Sequence, residues 1–100
     1  MSQIKITKYK NKIQITGHSM PDICAAVSSV VYTSVNMIIT LTSPDAITFE
    51  DNKDDDFILI TVHSRKEKVK QGVDVMMHMF EDIADMAPVG TISISDLNEV

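Results

Sequence analysis

The sequence predicts an α+β fold, a two-layer sandwich in which two helices cover one face of a mainly antiparallel sheet. Three observations lead to this prediction. Short segments alternate polar and apolar residues, as half-buried strands do, and two longer segments have the length or spacing of helices. No linker, repeat or low-complexity segment divides the 100 residues. The predicted order is β-β-α-β-β-α-β, in a single domain over residues 1–100.

The first predicted element is a hairpin of two half-buried strands. Residues 3–9, QIKITKY, alternate polar and apolar side chains, and Ile13 and Ile15 continue the alternation after a short polar interval. We expect the second strand to end at Gly17 and His18.

A long helix is predicted next, from about residue 23 to residue 41. Pro21 interrupts the strand, and Asp22 is a suitable N-cap. The apolar segment that follows is far too long for a strand, which outweighs the strand preference of its β-branched residues. The segment is also uncharged and almost long enough to span a bilayer. Polar residues spread along it favour a buried helix of a globular domain instead: Ser28, Ser29, Thr33, Ser34, Asn36 and Thr40.

A second hairpin, a second helix and a short final strand are predicted in the C-terminal half. Residues 46–50 and 57–63 form the hairpin around the polar segment DNKDDD. Apolar residues recur at helical spacing over about residues 66–87, with Ser64 as the expected cap. Residues 91–95 alternate again, which predicts the last strand.

Composition and charge limit the classes of function. A lone cysteine cannot form an internal disulfide, and the N-terminal segment lacks the apolar run of a signal peptide. We therefore expect a cytoplasmic protein. The formal charge of −5 argues against direct nucleic-acid binding, which requires clustered cations. The three scattered glycines form no phosphate-binding loop, so no nucleotide cofactor is predicted.

The lone cysteine, Cys24, follows His18 by six residues and lies at the predicted start of the first helix. The helix dipole and free helix amides favour a thiolate there, and a nearby imidazole would act as its base. At up to roughly 3.3 Å per residue, the connection is long enough to fold back and bring the two side chains together. The same amides would stabilise an oxyanion. Spacing alone equally permits a buried cysteine that acts as a small hydrophobe.

Residues 17–36, GHSMPDICAAVSSVVYTSVN, resemble the signature of the ribosomal-processing cysteine protease family, Prp. In that family Gly-His is followed by a loop and then by Asp-(Ile/Leu)-Val-Cys-Ala-(Ala/Gly)-Val-(Ser/Thr). The resemblance implies His18 as general base and acid, Cys24 as nucleophile and Ser28 as a polar residue lining the site. Asp22 matches the family's aspartate before the cysteine and is expected to line the site as well.

The resemblance implies a function as well as a fold. The implied activity is that of a cysteine endopeptidase, needing no cofactor, that removes a short N-terminal extension from a large-subunit ribosomal protein precursor during bacterial ribosome assembly. Two departures set this chain apart: the loop between His18 and Asp22 is shorter than the family's mobile loop, and one residue is missing before Cys24. The alternative is a catalytically silent dimeric module that binds a ribosomal protein or assembly factor. A redox-sensing thiol is a third hypothesis.

Three further features complete the sequence predictions. The acidic run within residues 50–56 lacks the spacing of a calcium loop and is predicted to be a solvated turn whose charge would attract a basic ribosomal protein. His63 and His78 show no paired ligand spacing with Cys24, so no metal site is predicted. The first helix is apolar on more sides than one sheet and one helix can cover, which predicts a homodimer.

Overall fold

The computed structural model describes residues 3–52 and 54–97, and within them the seven elements occur in the predicted order. In chain order they are β1 (Ile4–Lys8), β2 (Lys12–Gly17), α1 (Pro21–Leu41), β3 (Ile47–Asn52), β4 (Phe57–Val62), α2 (Glu67–Met86) and β5 (Ile92–Asp96). The α+β class and the β-β-α-β-β-α-β order predicted from the sequence are thus confirmed.

The strands form a sheet in the order β3-β4-β2-β1-β5. Neighbouring strands run antiparallel except β1 and β5, which are parallel, so the mainly antiparallel sheet is confirmed. The pairing of β2 with β4 sets Thr16 opposite Phe57. The residues that follow β2 therefore face those that precede β4, and this register positions the candidate site.

The core lies between one face of the sheet and the two helices. Alternate strand residues are buried on that face, as the pleat of a strand requires: Ile4, Ile6, Ile13, Ile15, Ile47, Ile58 and Ile60. They pack with the buried stripes of α1 and α2 in a common cluster. By length and apolar composition α1 would also suit a membrane span. In this fold the helix contributes Val27, Val31, Val35 and Ile38 to the core.

Helix α1 begins earlier than predicted, and its N-cap is a different residue. The helix starts at Pro21, and Met20 occupies the cap position without a side-chain capping bond. Proline suits the first helical position because it lacks the amide hydrogen that would have no partner there. Asp22 lies instead within the first turn, where its Oδ1 accepts a hydrogen bond from the Ile23 amide (3.0 Å). The prediction of Asp22 as the N-cap was wrong.

Helix α2 begins at Glu67, with Lys66 at the cap position and no side-chain capping bond. The predicted cap, Ser64, lies before the helix, where its hydroxyl accepts a hydrogen bond from the Lys66 amide (3.2 Å). Farther along, Gly72 is buried where the two helices meet, and a Cβ added there would lie 2.5 Å from Cγ1 of Ile38. The close approach of the helices therefore depends on this glycine.

Candidate active site

A pocket of about 230 Å³ lies where β2 ends and α1 begins, and both His18 and Cys24 line it. The other lining residues are Ile4, Ile15, Gly17, Val27, Ser28, Asp51, Asp56, Phe57 and Ile58. Apolar residues of β1, β2 and β4 thus adjoin polar side chains that come from α1, from β3 and from the neighbouring loops. The fold brings together the imidazole and the thiol that the sequence resemblance pairs.

Gly17 fixes the position of His18. Its φ angle of +85° lies in the left-handed region, which residues with a Cβ rarely adopt. A Cβ at this position would also collide with the backbone oxygen of Gln3. The Gly17 amide donates a hydrogen bond to the Asp56 carbonyl oxygen (3.0 Å), which extends the pairing of β2 with β4 by one step. The chain therefore leaves the sheet in a defined direction immediately before His18.

The His18 imidazole lies at the rim of the pocket, with 60% of its side chain exposed. Its Nδ1 atom is 3.0 Å from Oδ2 of Asp56. A carboxylate only accepts hydrogen bonds, so in this contact Nδ1 carries the hydrogen. The neutral imidazole then has its lone pair on Nε2, so Nε2 is the ring nitrogen that can accept a proton.

Cys24 is the fourth residue of α1 and is half-buried. Its amide donates to the Met20 carbonyl (3.0 Å), the first hydrogen bond of the helix. Its Sγ accepts a hydrogen bond from the Ser19 amide (3.2 Å), and the thiol lies 3.5 Å from the Ser19 carbonyl oxygen, to which it can donate. The short loop after His18 is thus held directly against the thiol. The amide contact would persist with a thiolate, whereas the carbonyl contact requires the thiol proton.

The amides at the start of α1 are more occupied than the sequence suggested. The Ile23 amide donates to Oδ1 of Asp22, and the Cys24 amide donates to the Met20 carbonyl. The Asp22 amide belongs to the first turn, where helix geometry supplies no intrahelical acceptor. The Ile23 and Cys24 amides therefore already have acceptors within the protein, so they are not free donors for an oxyanion in the resting structure.

The two remaining residues singled out from the sequence differ in position. Ser28 is half-buried in the pocket lining, one helical turn after Cys24. Asp22 is exposed and does not belong to the lining; its carboxylate faces the helix amides instead. A carboxylate there interacts favourably with the helix dipole. The structure thus brings three of the four predicted site residues together and leaves Asp22 outside the pocket wall.

Sequence reasoning missed Asp51 and Asp56, because the acidic segment was interpreted as a solvated turn. That interpretation suits Asp55, whose carboxylate accepts a hydrogen bond from the Asn52 side chain (2.8 Å). Asp51 and Asp56 instead line the pocket. The available signal was positional: Asp56 immediately precedes a strand predicted to enter the same sheet as the strand ending at His18.

Asp51 is engaged with α1. Oδ2 of Asp51 accepts a hydrogen bond from the Tyr32 hydroxyl (2.7 Å), and the Tyr32 ring packs edge-on against Phe49 at 4.9 Å. This hydrogen bond raises the pKa of Tyr32 above its usual value because it is made by the protonated phenol. Burial and the negative charge of Asp51 raise the pKa further. The contact joins α1 to β3 beside the pocket.

Neither His63 nor His78 lines this pocket. Nε2 of His63 is 2.9 Å from the Thr48 hydroxyl, and Nδ1 of His78 is 3.6 Å from a carboxylate oxygen of Glu81 one helical turn away. Within residues 3–52 and 54–97, no group of three or more His, Cys, Asp or Glu side chains is placed to hold a metal ion.

Solved protein structures share this fold. The ribosomal processing protease Prp from S. aureus, in complex with a covalently linked product peptide, matches with a TM-score of 0.78 at 20% identity, over 96% of this chain and 99% of that chain. The same protease in complex with a substrate peptide matches with a TM-score of 0.76 at the same identity and coverage. A protein from Streptococcus mutans matches with a TM-score of 0.70 at 20% identity, over 96% and 95% of the two chains.

No protein-family model matches the sequence, and no curated protein matches it. At 20% identity the likeness to the solved structures establishes a common fold. The chemistry of this chain must therefore be argued from its own pocket.

Proposed function

We propose that this protein is a cysteine endopeptidase that removes a short N-terminal extension from a large-subunit ribosomal protein precursor during bacterial ribosome assembly. The observation that carries the proposal is the convergence of His18 and Cys24 on the same pocket. The S. aureus protease of the same fold holds a substrate peptide in one structure and a covalently linked product peptide in another. A thiol and an imidazole that line the same pocket suit peptide-bond cleavage through a covalent intermediate.

In the proposed reaction His18 takes the thiol proton of Cys24, and Sγ attacks the scissile carbonyl carbon. The tetrahedral adduct collapses, the C–N bond breaks, and His18 returns the proton to the leaving amine. That amine is the new N-terminus of the mature ribosomal protein. The extension remains on Cys24 as a thioester, and a water molecule deprotonated by His18 hydrolyses it to the free peptide acid and the thiol.

The resting site requires one rearrangement before the attack. The thiol proton that points toward the Ser19 carbonyl has to turn toward the imidazole. The Ser19 amide already donates to Sγ and stabilises the thiolate once it forms. We infer that the short loop after His18 shifts as the peptide binds, because the loop carries the carbonyl that holds the thiol.

The same proposal specifies the substrate, the cofactor requirement and the cell compartment. The substrate is a peptide segment of a basic ribosomal protein, and the protein needs no cofactor and no direct contact with nucleic acid. The lone cysteine and the charge of −5 support action in the cytoplasm on a cationic partner.

We also infer that the protein is a homodimer. Met37 and Leu41 lie four residues apart on the same side of α1, and 36% and 58% of their surfaces are exposed. Burial of these side chains against a second copy would remove apolar surface from water. Light scattering at micromolar concentration should give twice the chain mass, and Leu41→Glu should give the monomer. A monomeric wild-type protein at that concentration would contradict the inference.

The catalytically silent binding module is the second candidate function. It is less well supported than the peptidase, because the S. aureus protease of the same fold holds substrate and product peptides. Its physical basis is the set of hydrogen bonds at the thiol and at the start of α1, where the Ile23 and Cys24 amides already have acceptors. Such a site offers few free helix amides to an oxyanion. The same pocket would then bind the precursor without cleaving it.

Mass spectrometry of the precursor separates the two functions. Wild-type protein should produce a single new N-terminus, and Cys24→Ala should lower the cleavage rate by more than about 10³-fold while it still binds the precursor. Ser29→Ala, an exposed position on the same helix, should cleave like the wild type. A bound precursor that stays intact with the wild type as well would favour the silent module.

A further inference from the structure

We propose that Asp56 is a positioning residue for His18, an inference that rests on the proposed peptidase function. The observation is the 3.0 Å contact between Oδ2 of Asp56 and Nδ1 of His18. Both residues line the pocket that also contains Cys24. Asp56 thus supplies the third member of a Cys-His-Asp arrangement, in which the carboxylate acts through the imidazole.

The backbone of Asp56 is fixed to the strand that presents His18. Its carbonyl oxygen accepts the Gly17 amide hydrogen bond (3.0 Å), and the next residue, Phe57, pairs with Thr16. Two neighbouring backbones therefore set the separation of the two side chains. The contact between Asp56 and His18 is therefore supported by the pairing of β2 with β4.

The conformation of Asp56 also suits this role. Its φ of +50° lies in the left-handed region, which aspartate and asparagine tolerate better than most residues. This turn of the backbone directs the chain into β4 immediately afterwards. The other pocket carboxylate, Asp51, accepts a hydrogen bond from the Tyr32 hydroxyl, whereas the Asp56 carboxylate contacts His18.

The contact controls which ring nitrogen carries the proton. A carboxylate accepts a hydrogen bond from Nδ1–H, so the lone pair of the neutral ring is on Nε2. Nε2 can then take the thiol proton of Cys24, and the carboxylate stabilises the imidazolium that results. Without Asp56 the ring can place its proton on Nε2, and that tautomer cannot accept a proton from Cys24 at Nε2.

The expected effect is moderate because the pair is half-exposed. About half of the Asp56 side chain (48%) and 60% of the His18 side chain are accessible to water, which screens the interaction. We expect kcat for precursor cleavage to fall about tenfold without Asp56, which is less than the roughly 10²–10⁴-fold that a positioned acid–base group itself contributes. KM should stay unchanged, because Asp56 acts through the imidazole and not on the bound peptide.

Two variants and one control test the proposal. Asp56→Asn removes the charge and tolerates the left-handed backbone, and Asp56→Gly removes the side chain at a φ that glycine readily adopts. Asp54→Asn makes the same charge change in the same exposed turn, at a residue that does not line the pocket. The measurements are ¹⁵N NMR of the His18 ring in the free protein, with His18→Gln to assign the signal, and cleavage kinetics.

The proposal predicts an Nδ1–H tautomer in the wild type and in Asp54→Asn. In both Asp56 variants it predicts a shift toward Nε2–H together with the loss in kcat. Identical ring ¹⁵N shifts in the wild type and Asp56→Gly would overturn the proposal, and so would unchanged kcat in both variants. If the wild type cleaves no precursor, the peptidase function fails, while the tautomer comparison still decides for or against the role of Asp56.

Discussion

His18 owes its position to the glycine that precedes it. Gly17 combines a left-handed backbone with a close approach to Gln3 and a hydrogen bond to the Asp56 carbonyl. A side chain at Gly17 would disturb all three features at once. The glycine therefore helps to position His18 in the candidate site, although it has no reactive group.

We predict that Gly17→Ala lowers both stability and cleavage. The left-handed strain together with the collision against Gln3 should cost about 2–4 kcal/mol of unfolding free energy. Urea unfolding and precursor cleavage measure the two effects. Gly90→Ala is the matched control, because Gly90 has φ +86° but open space around its Cβ, so strain alone should cost about 1 kcal/mol. Equal losses in the two variants, with cleavage intact in both, would contradict this account.

Some of the residues that line the pocket were predicted from the sequence, and others were not. His18, Cys24 and Ser28 lie in a short segment where a strand gives way to a helix, and the resemblance of that segment to the Prp signature grouped them. Asp56 contacts His18 across 38 residues, and this proximity arises from strand pairing, which local patterns do not contain. The prediction of Asp22 as the N-cap was wrong because the helix already begins at Pro21.

At the scale of elements, the contact between α1 and α2 depends on a small residue. Gly72 is buried against Ile38, which is itself almost fully buried (1% exposed). Glycine in the middle of a helix is normally unfavourable, so its presence indicates a packing requirement.

We predict that Gly72→Ala destabilises the protein even though alanine favours a helix. Its Cβ would lie 2.5 Å and 2.9 Å from Cγ1 and Cδ1 of Ile38, and such overpacking costs about 1–3 kcal/mol, against a gain of about 1 kcal/mol in helix propensity. Gln71→Ala, at the neighbouring exposed position, should change the unfolding free energy by less than about 0.5 kcal/mol. A thermal or urea unfolding experiment in which Gly72→Ala is the more stable protein would refute the prediction.

At the scale of the whole molecule, negatively charged side chains lie in and beside the pocket. Asp51 and Asp56 line it, and Asp54 and Asp55 are exposed in the adjoining turn. Basic side chains line other pockets, among them Lys10 and Lys70. An acidic entrance would attract the basic precursor over a distance set by the ionic strength.

We predict that kcat/KM for the precursor falls as salt rises, by about tenfold between low and high ionic strength. Asp54→Asn combined with Asp55→Asn should lower the low-salt rate and flatten the dependence, because these exposed carboxylates lie outside the pocket lining and would act on the substrate through their charge. A cleavage rate that is the same at low and high salt would contradict the prediction that these carboxylates attract the precursor.

The order of the helices and strands along the chain was predictable from the sequence, but the arrangement of the strands in the sheet was not. Alternation and helical spacing identify each element from its own residues, and α1 was recognised because its length excluded a strand. The sheet order β3-β4-β2-β1-β5 and the parallel pairing of β5 with β1 depend on contacts between distant segments. Those contacts decide which loops meet, and they are the reason that the pocket contains Asp56.

The central claim is that Sγ of Cys24 becomes covalently bound to the extension during cleavage. Acid quenching early in the reaction, followed by intact-mass and peptide mass spectrometry, tests it most directly. We predict a transient adduct on the peptide containing Cys24, with the mass of the released extension less one water molecule. Processing of the precursor by Cys24→Ala at the wild-type rate, with no adduct on the wild type at any time, would contradict the account.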